Sequence, residues 1–147
     1  MQLSRLRNDR GFTLIEIMVV VVILGILAAI VVPRLLSRPD EAKVVKAKVD
    51  MKGIEEALGL FKLDTGFYPS TDQGLKALVE KPTTGLIPSK YSIDGYLKKV
   101  PADPWGNAYV YLSPGLHSHY YDLISYGADG QAGGEEFNAD INSWELD

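Results

Sequence analysis

From Phe12 to Pro33 the chain runs for 22 residues, FTLIEIMVVVVILGILAAIVVP, in which Glu16 is the only charge. As a helix rising 1.5 Å per residue this run spans roughly 33 Å, about the hydrocarbon thickness of a bilayer. Residues 1–11, MQLSRLRNDRG, set Arg5, Arg7 and Arg10 against Asp9, a net of +2 directly ahead of the apolar run. That basic flank predicts a cytoplasmic N-terminus and an exported C-terminal domain.

Two ordinary readings fit poorly. A removable secretory signal wants an uninterrupted apolar core followed by a small-residue cleavage site, whereas Glu16 sits near the start of the run and no A-x-A triplet follows it. A plain membrane anchor has no use for Glu16. A carboxylate costs about 3 kcal/mol at the centre of a membrane helix on insertion scales, and less toward the interface, so it calls for a partner.

Arg10-Gly11 followed by Phe12-Thr13-Leu14-Ile15-Glu16 resembles the type IV prepilin signature of pilins and pseudopilins. In that family a membrane-embedded prepilin peptidase cuts after the glycine and methylates the new terminal amine. The resemblance implies cleavage between Gly11 and Phe12, N-methylation of Phe12, and retention of the apolar run in the mature chain. Glu16 then pairs with the Phe12 amine of a neighbouring subunit during assembly; removing one partner of a desolvated ion pair typically costs ~3–5 kcal/mol. Loss of three Arg and one Asp with the leader takes the formal charge from −4 to −6.

Beyond Pro33, Val44, Ala47, Met51, Ile54, Leu58 and Phe61 recur at spacings of three and four, the stripe of an amphipathic helix. Gly66 follows as a left-handed C-cap. Residues 12–64 read as one helix of roughly 80 Å if continuous, with Pro33 and Pro39 as the points where it can kink or melt. The stripe is expected to pack on the chain's own domain. The membrane half has no such domain, so it faces lipid or other copies, with Gly25, Ala28 and Ala29 as sites of close helix approach.

After Gly66 the chain is rich in turns. A short helix is expected from about Thr71 to Lys81, where Ser70 and Gln73 have capping-box spacing and Pro82 ends the pattern. Ala108–Ser113 and Tyr120–Tyr126 read as an antiparallel pair, with a third edge segment around Ile141–Leu146. The fold class is therefore α+β: a long N-terminal helix packed on a small antiparallel sheet, as the pilin-like resemblance also implies. Tyr68–Leu75 (YPSTDQGL), Gly95-Tyr96-Leu97, Pro101–Gly106 (PADPWG) and Tyr126–Gly130 (YGADG) resemble the major pseudopilins of type II secretion. The resemblance divides the chain into a cleaved leader (1–11), a transmembrane and assembly helix (12–36) in which Glu16 and Pro33 serve assembly, and a periplasmic globular domain (37–147).

From Val100 onward there is no Lys or Arg, against eight carboxylates. Such density calls for solvation or a cation. Residues 125–140 mix oxygen ligands with glycines, the ingredients of a calcium loop, although the EF-hand spacing is absent and a solvated acidic loop fits the same residues. The resemblance implies one calcium per subunit, held by Asp129 and Asp140, the carbonyls of Tyr126 and Gln131, and Asn138 where relatives often carry Asp. Ser125, Glu135 and Glu136 are further candidates.

The absence of cysteine excludes a disulfide framework and Cys-ligated metal centres. The acidic balance argues against nucleic acid as a partner. His117 and His119 lie in a loop without metal-site spacing, no serine sits in a G-x-S-x-G setting, and no phosphate-binding glycine loop occurs. Enzymatic function is therefore not expected. The resemblance implies instead a subunit that polymerises with its own copies into a pseudopilus and drives export of folded proteins. It also implies prepilin peptidase, minor pseudopilins and an inner-membrane assembly platform as partners. A surface type IV pilus subunit and a monomeric membrane-anchored calcium-binding module are the alternatives.

Overall fold

A computed structural model of the chain describes residues 11–36 and 38–146, with residues 33–36 and Arg38 described by backbone alone. The predicted leader lies outside the described residues except for Gly11. So does Ser37, on which continuity of the predicted long helix depends. The chain divides into two units, residues 1–38 and 39–147.

In the first unit, helix α1 spans Leu14–Leu36 and the helix continues through Pro33. Thr13, just before it, and Glu16 in its first turn form a reciprocal cap. The Thr13 N–H donates to Glu16 Oε2 (3.4 Å), and the Glu16 N–H donates to Thr13 Oγ1 (3.3 Å). This T-x-x-E pair satisfies two of the orphan donors that every helix start leaves. Leu14–Val32 is long and apolar enough to cross a membrane, and none of it is buried within the chain.

Helix α2, Arg38–Thr65, carries the predicted stripe into the core of the second unit. Ala47, Met51, Leu58 and Phe61 are fully buried and Ile54 nearly so, while Val44 packs at the edge. Pro39 falls in the first turn, where its missing N–H would have no helical partner anyway. Gly66, at φ 88°, donates its N–H to Lys62 O (2.7 Å) and closes the helix as a left-handed cap.

The predicted helix over 71–81 is instead a turn followed by a 3₁₀ segment, Leu75–Leu78. The capping pair does form: the Ser70 N–H donates to Gln73 Oε1 (3.0 Å) and the Gln73 N–H to Ser70 Oγ (3.3 Å). It caps only a turn, because Gly74 leaves the helical region at φ 59°, ψ −168°. The Gln73 amide then donates to the carbonyls of Thr84 and Leu86 (2.7 and 3.1 Å), pinning the following loop.

Three strands form one antiparallel sheet in the order β1 (Val110–Leu112), β2 (Asp122–Ser125), β3 (Ile141–Asn142). Val110 faces Ile124, Leu112 faces Asp122, and Ser125 faces Ile141. The strands are shorter than predicted for a visible reason. At Ser113 the backbone leaves the ladder and bonds to Thr71: its N–H donates to Thr71 Oγ1 (2.8 Å), and that hydroxyl donates to Ser113 O (3.1 Å). Past Asn142 the predicted edge segment turns into a 3₁₀ segment, Ser143–Glu145.

The sheet and α2 share one core. Tyr109, Tyr111, Leu123 and Ile141 meet the α2 stripe. Phe61 is packed edge-on by Phe67, Tyr91 and Tyr96 at centroid distances of 5.8, 6.3 and 5.4 Å. Tyr111 donates its hydroxyl to Pro69 O (2.9 Å), so a buried ring ends on a satisfied polar atom. Burial pushes the Tyr111 hydroxyl up to about 12.

Candidate functional site

Two places gather the residues that the sequence singles out: the start of α1 and the acidic C-terminal segment. At the first, Gly11, Phe12 and Glu16 are all exposed, and Glu16 is turned back onto the Thr13 amide. That cap went unread in the sequence, although T-x-x-E ahead of an apolar run is its signature. Among the described residues the Glu16 carboxylate thus takes one bond, from its own chain, and is otherwise exposed. Pro33 is described only as part of the α1 backbone.

In the acidic segment, the described carboxylates do not form one solvated cluster. Asp103 and Asp122 are buried. Asp103 Oδ1 accepts the N–H groups of Trp105 (3.1 Å) and Asn107 (2.7 Å), and its Oδ2 accepts the Ser125 hydroxyl (2.9 Å). Asp122 accepts the N–H groups of Leu116, His117 and Ser118 at 2.7, 2.9 and 2.8 Å, and His117 Nδ1 lies 3.1 Å away. Burial alone would raise Asp122, but the three amides and the imidazole outweigh it and hold the carboxyl below the usual carboxylate range. Amide and hydroxyl donors thus hold two of the carboxylates that the sequence assigned to solvent or a cation.

His117, which the sequence places in a loop without metal-site spacing, is exposed yet built in. Its ring stacks on Trp144 at 4.1 Å and 12° while contacting Asp122. This links the β1–β2 connection to the chain's end. His119 stays at the surface, edge-on to Tyr120.

The loop from Tyr126 to Asp140 closes on itself. Gly127, at φ 63°, brings its backbone so close to the return segment that a Cβ would stand 2.8 Å from Ala139 O and 2.9 Å from Asn138 O. Only glycine fits there. The Ala128 N–H donates to Phe137 O (2.9 Å), and the Gly133 N–H donates to Asp140 Oδ2 (3.0 Å). Asp129 Oδ1 accepts the Gln131 N–H (3.1 Å). Glu136 holds φ 55°, a left-handed backbone that is uncommon for a non-glycine residue.

The segment carrying Tyr126 thereby lies against the one carrying Asn138 and Asp140. Glu135, Glu136, Asn138, Asp129 and Gln131 are exposed. Ser125 is buried, and its hydroxyl donates to Asp103 Oδ2. Among the described residues no three His, Asp or Glu side chains converge as a metal cluster. A cation at this loop would rest on two carboxylates and on neutral oxygens, a donor set that calcium accepts. One observation fits such an ion: Asp140 Oδ1 is buried and has no hydrogen-bond partner, an arrangement that is costly for an anionic oxygen.

Comparison with known proteins finds matches along both units of the chain. The family model "Type II secretion system (T2SS), protein G" matches residues 34–144, and that of the prokaryotic N-terminal methylation motif matches residues 6–32. The type II secretion system core protein G of Pseudomonas aeruginosa is 60% identical over 139 residues, covering 95% of this chain and 97% of the relative. Its Vibrio cholerae counterpart is 52% identical over 144 residues, covering 98% and 97%. The crystal structure of the major pseudopilin from the type 2 secretion system of enterohaemorrhagic Escherichia coli superposes with a TM-score of 0.68 at 41% identity, covering 77% of this chain and 92% of that one.

Proposed function

Because this chain belongs to the type II secretion system protein G family and is a structural subunit of the pseudopilus, we propose that it enters the filament as a chain cut between Gly11 and Phe12 and methylated at Phe12. The observation that carries this reading is Glu16: a lone exposed carboxylate in the first turn of α1, in a span, Leu14–Val32, whose other side chains are apolar and uncovered. Before assembly the chain sits in the inner membrane, with its N-terminus cytoplasmic and residues 37–147 in the periplasm. In the filament, the apolar helices pack on one another, and Glu16 sets register by pairing with a neighbour's Phe12 amine. The partners are its own copies, prepilin peptidase, the minor pseudopilins and the inner-membrane assembly platform. The work of assembly comes from other proteins, since this chain catalyses no reaction.

One calcium ion per subunit completes this reading. Asp129, Asp140 and Asn138, with the carbonyls of Tyr126 and Gln131, would hold it. When bound it supplies positive charge to a segment that has no cation of its own. The loop's closure at Gly127, Ala128 and Gly133, and the unpartnered Asp140 Oδ1, support that assignment.

Intact mass of the protein from cells with and without a prepilin peptidase tests the processing step. The expected product begins at a methylated Phe12 and appears only with the peptidase. An uncut chain in both would overturn it.

A further inference from the structure

The cationic side chains of α2 are not alike. Lys43, Lys46 and Lys52 each pair with an acid three or four positions along their own helix: Asp40 (3.6 Å), Asp50 and Glu55 (3.9 Å). Lys48 has Val44, Val45, Met51 and Lys52 at those positions, so its own helix offers nothing to neutralise it. It faces instead a slot of about 170 Å³ between α2 and the end of the acidic loop. Its apolar lining includes Val44, Ile141 and Leu146. Its polar lining includes Lys48, Glu136, Asp140 and Glu145, and among the described residues Lys48 is the one cation there.

Because the chain carries no Lys or Arg after Lys99, the acidic loop meets positive charge in this slot from α2. Among the described residues Lys48 makes no ion pair within 4.0 Å, so it acts through the field across the slot and not through a fixed bridge. The flexible four-carbon stem of lysine suits such a role, and so does its compact charge.

We infer that Lys48 is the loop's internal counter-cation, which offsets the carboxylates in the metal-free chain and lowers the loop's affinity for calcium. This rests on the calcium assignment proposed above. The two effects have opposite signs when the charge is removed: the metal-free domain loses support, while a divalent ion meets less repulsion and binds more tightly. A lysine that merely packed against the loop would weaken both on removal.

The test is titration of calcium chloride into the full-length, chelator-stripped protein in detergent micelles, with thermal unfolding recorded at zero and saturating calcium. Wild type is compared with Lys48→Gln, Lys48→Arg and Lys76→Gln, the last removing an equal charge from the distant Lys76–Glu80 pair. Lys48→Gln is expected to tighten calcium binding about three- to tenfold, the scale of a unit charge facing a divalent ion in a water-like dielectric. It should also unfold at a lower temperature without calcium, while Lys48→Arg and Lys76→Gln bind within about twofold of wild type. Unchanged or weaker binding by Lys48→Gln, beside a wild type that binds, overturns the inference alone. A wild type that takes up no calcium overturns the calcium assignment and this inference with it.

Discussion

Helices α1 and α2 obey the same backbone rules but solve opposite problems. In α2 one stripe of apolar residues, from Val44 to Phe61, is buried against the sheet and the tyrosines of its own unit, while Val45, Val49, Leu60 and Leu63 stand exposed on other sides. In α1 apolar residues cover every side, and Leu14–Val32 is uncovered throughout. A striped helix finds its partner within the chain. A helix apolar all round, with one carboxylate in its first turn, must find lipid or other copies. The division between folding and assembly is thus written in how far around the helix the apolar residues extend.

The comparison breaks most visibly at Phe61. Phe61→Ala should destabilise the globular unit by about 3–5 kcal/mol through the cavity it leaves. Leu24→Ala on α1 should leave the unfolding midpoint of that unit unchanged, as chemical denaturation of the detergent-solubilised protein would show. Equal losses at both sites would erase the distinction between the helices.

Calcium should act on the same side of the division. Addition to a chelator-treated sample at about 100 times the dissociation constant should stabilise the globular unit by about 2.7 kcal/mol. The helix content of α1 should not change. Calorimetry and circular dichroism separate the two.

Acid probes the globular unit through Asp122. Its carboxyl is held below the ordinary value near 3.9, so the folded state binds this proton less readily than the unfolded chain. Its contribution is therefore fully present above about pH 4 and is lost as pH falls through the lower, folded value. Asp122→Asn should flatten that acid limb in a pH series of unfolding midpoints. An unchanged limb would mean that the three amides around Asp122 do not favour its charged form.

The smallest effect is expected at the cap after α2. Ser70→Ala removes the acceptor for the Gln73 N–H and should cost about 1 kcal/mol. Thr13→Ala, which removes the matching cap of α1, should leave the midpoint of the globular unit unmoved.

The stripe of α2 and the Gly66 stop were legible because helical period and cap chemistry are local. The 71–81 segment was misread because Gly74 takes a backbone that spacing alone does not disclose. The strand ends were overextended because Ser113 is claimed by Thr71, 42 residues away in sequence. Composition marked the acidic end but could not show that amides from neighbouring turns surround Asp103 and Asp122. It also could not show that His117 lies against Trp144. In the candidate loop, the need for glycine at residue 127 follows from its close approach to Asn138 and Ala139, and the burial of Ser125 with its hydroxyl on Asp103 could not be read from spacing. At Glu16 the T-x-x-E cap stood in plain view beside the proposed assembly role.

The most direct test of that assembly role is in vivo crosslinking of peptidase-processed protein carrying Glu16→Leu, beside wild type and Glu16→Asp, with unfolding of the globular unit as the control. Glu16→Leu should keep the wild-type midpoint yet lose the ladder of oligomers and the secretion it supports, and Glu16→Asp should retain part of both. A full ladder and normal secretion from Glu16→Leu would contradict the claim that this carboxylate joins one subunit to the next.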